Sequence, residues 1–334
     1  MHFQLAFAVT LVSIAGSAFA QPTERALAEA AAREKKVILW GSPDVGVFQT
    51  MHAEFVKKYP GVTLEMTKVQ GAVAIDRLIA SRSAGRKDVD FLDTPVGYMP
   101  LLLNRGLADS FDWTAVLGTD PDKVLYGGRG LIGWHIDLPI SFNTGMAKAG
   151  DIRTWDDLLD PRWRGKLVIE KRGLAFAVLA LKWGEAKTTA YLKKLMENRP
   201  IITVGSTQTI EALAGGQGAI AVGPYGGPVL KAKADGAPVD LAMVGPVPTM
   251  LEVAVQVKDG PNPNATRLWI HYLTTPKAQE LLYKGQGLGF VQGSALSPLG
   301  EMYKKAGLEI VLESTDAPLM QKMLSLVSAI VGQH

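Results

Sequence analysis

Tyr225 stands at the end of an apolar run, in the order Ala219-Ile220-Ala221-Val222-Gly223-Pro224-Tyr225-Gly226-Gly227. A phenol held between Pro and Gly at a strand end is placed to touch a ligand, because ligands of open α/β sheets sit beyond the carboxyl ends of the strands. The same loop also reads as an ordinary strand-to-helix turn with an exposed aromatic. Arg172 occupies a similar position in Glu170-Lys171-Arg172-Gly173, after a strand starting at Lys166 and directly before the apolar helix LAFAVLALKW. Free N–H groups at a helix start attract anions, and a guanidinium adds a planar two-pronged donor, so the turn fits a carboxylate or phosphonate. A solvated basic turn is the alternative. His135 and Asp137 lie two apart on a β-type stretch and share one face, which permits a metal or acid–base pair. No third ligand is near them, so a structural or exposed pair is favoured. His52 falls inside the helical pattern of Phe48, Met51, Phe55 and Val56 and is read as a helix-face residue. No phosphate-binding loop, dinucleotide fingerprint, nucleophile elbow or HExxH occurs, and no enzyme is expected.

The elements that must position these residues alternate between strand and helix. Residues 23 to 35 read as an amphipathic helix, followed by the strand KVILW, a helix closing at KKYPG, the strand VTLEMTKV, the helix AIDRLIASRSAG and the strand DVDFLDTP. Repeated strand–loop–helix units argue for a right-handed parallel α/β sheet. In GSTQTIEALAGGQGAIAVGPYGG, a hydroxyl residue among Ser206, Thr207 and Thr209 is expected to cap a helix that stops at Gly215-Gly216. The run at 219 to 222 lacks alternation, which suits a strand buried on both faces. A Pro-rich passage from Gly245 to Pro248 reads as a crossing between lobes, with a strand starting near Met250, and residues 298 to 331 are helical in pattern.

With 334 residues and 47% hydrophobic content the chain can bury one large core or two medium ones, and two lobes are expected. A net charge of +3 with no long basic run gives no electrostatic footprint for nucleic acid. The first twenty residues are apolar and end in Ala18-Phe19-Ala20, the small-x-small pattern of a signal peptide cleaved before Gln21, although the segment has no Lys or Arg at its start. No later stretch reaches membrane-spanning length. The absence of cysteine removes disulfides, thiolate metal sites and a lipid-modified N-terminus, and fits a bacterial periplasm.

The order of parts resembles the periplasmic solute-binding proteins of ABC importers (extracellular solute-binding family 1), in the branch that includes the ferric-ion-binding proteins. The likeness rests on AEFVKKYPGVTLE, DVDFLDTP, ISFNTGMAKAGDIRTWDDLLDPRWRGKLVI, EALAGGQGAIAVGPY and GPNPNATRLWIHYLTTPKAQELL. It implies a type II two-lobed α/β fold, each lobe a mainly parallel sheet flanked by helices, joined by two crossing strands. Residues 1–20 would be the signal peptide, 21–139 and 254–334 one lobe, and 140–253 the other, with C-terminal helices packing on either. The cleft loops carried over by the resemblance contain Ser42, Asp44, Gln70, Gly71, Thr94, Tyr98, Lys171, Arg172, Gly173, Thr207, Gln208, Tyr225, Gly226 and Glu252. The ferric branch has two adjacent tyrosines where this chain has Tyr225-Gly226. Asp44, Tyr225 and Glu252 are a poor set for a hard trivalent cation without exogenous anions, so no metal and no cofactor is expected. The expected role is a monomeric receptor for a small polar, anionic organic solute, handed to a membrane permease. A ferric carrier using a synergistic anion, or a periplasmic enzyme on a small substrate, is the alternative.

Overall fold

The computed structural model describes residues 23–42, 45–69, 71–286 and 298–332. The expected signal segment, Asp44 and Gln70 lie outside those residues. Among the described residues no helix is long and apolar enough to cross a membrane.

Two sheets form the frame. The first is built from β1 (Lys36–Gly41), β2 (Thr63–Lys68), β3 (Phe91–Pro95), β4 (Val124–Leu125) and β5 (Gly130–Asp137). The second holds β6 (Ser141–Asn143), β7 (Leu167–Glu170), β8 (Ile201–Thr203), β9 (Ile220–Val222) and β10 (Val239–Leu241). The chain then returns to the first sheet with β11 (Val247–Gln256) and β12 (Ile310–Leu312), giving the order β2-β1-β3-β11-β5-β4, with β12 on β11, beside β10-β6-β9-β7-β8.

Each sheet has a parallel core, β2-β1-β3 or β9-β7-β8, made by strand–helix–strand units. Antiparallel pairs complete it: β11 runs against β3 and β5, and β6 against β9 and β10. The sheets are therefore mixed where a mainly parallel pattern was expected. The cause is the crossing itself, because β5 leads out of the first sheet and β11 leads back in, so neighbours made by crossing strands must oppose. Every residue of β5, β7, β9 and β11 is buried, which accounts for the unbroken apolar run of β9, while His135, Asp137, Glu170, Thr249, Glu252 and Gln256 are polar residues buried in the others.

The chain passes between sheets at residues 138–140 and 242–246. These passages lie side by side: the Leu138 N–H donates to the Pro248 carbonyl at 2.8 Å and the Ala242 N–H to the Ile140 carbonyl at 2.9 Å. The boundary expected at 253 falls inside β11, whose residues pair in the first sheet. Beyond β12, the helix Ala317–Val331 is capped by Asp316, whose carboxylate accepts the Leu319 N–H at 3.1 Å. It buries Met320, Met323, Val327 and Val331 and packs on the second sheet's helices Leu174–Trp183 and Glu185–Met196.

Candidate functional site

The Arg172 turn owes its shape to Gly173, which sits at φ +63° before the helix Leu174–Trp183. That left-handed conformation disfavours any side chain, and a Cβ there would come within 2.4 Å of Val327 Cγ1 on the C-terminal helix. Arg172 is thereby placed between β7 and that helix. Its Nε donates to Glu170 Oε1 at 2.9 Å, a pair in which the Glu170 side chain is 2% exposed and that of Arg172 51%. The same Glu170 oxygen accepts the Gly205 N–H at 3.1 Å. Burial works against the guanidinium charge, but the adjacent Tyr225 and Glu170 outweigh it and raise the pKa above the usual arginine value.

The helices Gly205–Ala214 and Gly226–Ala234 begin beside this turn. No hydroxyl caps the first of them, contrary to expectation. The Ser206 Oγ instead accepts the Tyr225 N–H at 2.9 Å, and Thr209 Oγ1 bonds the Gly205 carbonyl and Thr203 Oγ1. Ser206 is thus spent on tying two loops together. Gly226 permits the second loop to approach the first crossing, since a Cβ there would lie 3.1 Å from Pro139 Cγ and 2.9 Å from Leu299 Cδ2.

A cavity of about 690 Å³ opens at these helix starts, lined among others by Lys171, Arg172, Ser206, Thr207, Tyr225 and Ser328. A second, of about 280 Å³, reaches toward the first sheet between Pro95, Tyr98, Arg172, Met250, Glu313 and Met320. Arg172 and Ser328 border both. Three helix starts, one guanidinium and one phenol make a volume suited to a small anion.

On the first sheet's side the chemistry is acidic. Asp93 on β3 is fully buried, and both its oxygens accept the Ser42 N–H, at 2.9 and 3.1 Å. Burial nonetheless pushes its carboxyl up to about 7. Glu313 follows β12, accepts the Leu251 N–H at 3.2 Å and is likewise raised by burial to about 7. Glu252 on β11 is raised well above the usual carboxylate range by burial, then by Asp93 and Glu313, with Arg172 acting the other way.

The expected site residues divide accordingly. Lys171, Arg172, Thr207 and Tyr225 meet in one cavity, and Tyr98 joins Arg172 in the other. Gly71 opens the helix Gly71–Ser83 at φ +59°, with the Tyr98 ring nearby. Ser42 is held by Asp93, while Thr94 and Glu252 are buried. Gln208 is not part of the lining, because its Oε1 turns back to accept the Val204 N–H at 2.6 Å. Gly173 and Gly226 sit where an added Cβ would clash with Val327 and Leu299. His135 and Asp137 are buried, and Asp137 accepts from Thr249 Oγ1 at 2.9 Å. Among the described residues no group of three metal-ligating side chains forms. Glu313 and Ser328 carry no mark of a site in the sequence, and Glu170 is marked there only as part of the Arg172 turn. A carboxylate at a strand end gives no sign of its partner, and the 3.6-residue period of the C-terminal helix shows that it packs without showing where.

The model of the family described as bacterial extracellular solute-binding protein matches residues 41–280. Similar solved structures include a Trichodesmium protein in complex with iron and citrate ligands, 18% identical over 88% of this chain and 99% of that one, with a TM-score of 0.70. Iron-bound HitA from Pseudomonas aeruginosa is 14% identical over 88% and 99%, also with a TM-score of 0.70. The substrate-binding protein of an ABC transporter from Agrobacterium tumefaciens is 13% identical over 88% and 94%, with a TM-score of 0.71. A comparison with curated proteins returned no match.

Proposed function

The chain belongs to the bacterial extracellular solute-binding proteins, and from that premise we propose that it captures a small anionic organic solute in the cleft between its two sheets and delivers it to the permease of an ABC importer. It acts in the periplasm as a freely diffusing receptor. One lobe is organised on the first sheet and the other on the second, with the passages at 138–140 and 242–246 as the hinge. The observation that carries the reading is Arg172, half exposed beside three helix starts on a cavity of about 690 Å³. Glu170 engages its Nε, and a guanidinium has four further N–H donors on its two Nη nitrogens. A carboxylate or phosphonate can take that fork while helix N–H groups complete its coordination.

The experiment is a thermal-shift screen of small carboxylates and phosphonates. A ligand that binds only the folded state at a hundredfold its Kd adds about 2.7 kcal/mol. Stabilisation by organic acids without turnover supports the reading; turnover would make the chain an enzyme. A ferric carrier with a synergistic anion is the second reading, favoured by Tyr225 on the cavity wall. It requires a visible absorption band on adding ferric citrate, removed by Tyr225→Phe.

A further inference from the structure

Glu252 carries an unsatisfied polar atom near the cleft. Its side chain is 5% exposed, and Oε2 has no hydrogen-bond partner. Neighbouring Thr94 Oγ1 is also buried without one. An orphaned carboxyl oxygen in a buried site costs free energy, so its retention calls for a partner that arrives later. Position points to what that partner is. Glu252 pairs with Pro95 across β3 and, two residues from Met250, shares that residue's strand face; Pro95, Met250, Glu313 and Arg172 all line the smaller cavity. The charged or titratable groups acting on Glu252 are Asp93 from β3, Glu313 from the end of β12 and Arg172 from the opposite lobe. Two of the three are carboxyls, and the one cation is already paired with Glu170.

We propose that Glu252, flanked by Asp93 and Glu313, forms a subsite for a protonated amine, so that the solute is a zwitterion with its anionic end at Arg172 and its ammonium end at Glu252. This rests on the anionic reading above and adds the other pole. An ammonium supplies the missing donor to Oε2 and lets crowded carboxyls ionise together. Burial raises the carboxyls of Asp93 and Glu313 to about 7, and burial together with those two neighbours raises that of Glu252 well above the usual range, so binding of the cation releases protons to solvent, whereas a plain carboxylate docking at Arg172 does not.

The test is titration calorimetry on the intact mature protein with three length-matched probe series of three to six carbons: ω-aminocarboxylates, monocarboxylates and alkylamines. Each is run in two buffers of different ionisation enthalpy, on wild type and on Glu252→Gln. The proposal expects the best aminocarboxylate to bind about tenfold to a hundredfold tighter than its monocarboxylate, with net proton release. Glu252→Gln removes that advantage and leaves the monocarboxylate within about twofold, a result that a merely misfolded variant cannot give. Equal affinities of aminocarboxylate and monocarboxylate for wild type, or an advantage that survives Glu252→Gln, would overturn it. Glu252-dependent binding of alkylamines with no response to monocarboxylates would keep this subsite and sink the anionic reading alone. No Glu252-dependent gain in any series sinks the subsite.

Discussion

Arg172 and Glu170 form an ion pair of unequal partners, with Nε 2.9 Å from Oε1, the carboxyl almost wholly buried and the guanidinium half in the open. Because a second donor, the Gly205 N–H, reaches the same oxygen, the pair also fixes where the helix Gly205–Ala214 begins. One contact therefore links the Arg172 side chain to the loop that lines the other side of the cavity.

Removing Arg172 should cost stability as well as affinity, because Glu170 stays buried with less compensation. The half-exposed guanidinium limits the loss to about 1 kcal/mol. Urea unfolding of Arg172→Ala, Glu170→Gln and the double variant should show the double variant recovering most of that loss. Strictly additive effects would mean that the pair carries no coupling.

Glu313 should make the protein less stable as pH rises. Its folded pKa, about 7, lies above the ordinary glutamate value of 4.5, so the folded state holds the proton that the unfolded chain gives up between those limits. Stability from this group is full below about pH 4.5 and is lost as pH passes through about 7. His135, lowered by burial to about 3, has the opposite sign, losing stability as pH falls below its ordinary 6.5, so the comparison must be between variants. Relative to wild type, Glu313→Gln should gain up to about 3 kcal/mol between pH 4.5 and 7.5, read from urea midpoints at each pH. A constant difference across that range would contradict the assignment.

Gly173→Ala should be among the most damaging single-methyl changes. It forces an alanine into φ +63° and drives its Cβ to 2.4 Å from Val327. A loss of at least about 2 kcal/mol is expected, since strain and overpacking add. Val327→Ala placed on top should recover part of it by clearing the contact while leaving the backbone strain. A wild-type melting temperature for Gly173→Ala would mean that the turn relaxes freely.

Ligand should draw the lobes together about the paired passages at 138–140 and 242–246. Small-angle scattering at saturating ligand should then give a smaller radius of gyration than the ligand-free protein. An unchanged value would indicate a cleft that is already closed.

Much of the frame was legible in the sequence because it depends on local periodicity. An unbroken apolar run marked β9 as a buried strand, and the Gly and Pro punctuation placed Arg172 and Tyr225 at strand ends. What the sequence concealed depends on partners far along the chain. Ser206 looks like a helix cap but serves Tyr225, Gln208 looks like a ligand contact but serves Val204, and Glu313 joins the cleft only because β12 pairs with β11. The antiparallel additions to each sheet were hidden for the same reason, since a crossing strand carries no local mark of the sheet it will join.

The most direct measurement is titration calorimetry of the tightest carboxylate or phosphonate from the thermal-shift screen against wild type, Arg172→Ala and Arg172→Lys. A charge-assisted bidentate contact in a closed cleft contributes about 1.5 to 3 kcal/mol, and more when its loss strands a buried charge. Arg172→Ala should therefore bind about tenfold to a few hundredfold more weakly, with Arg172→Lys recovering only part because an ammonium lacks the planar fork. Equal affinities for wild type and Arg172→Ala would contradict the account and return Arg172 to the role of a solvated turn.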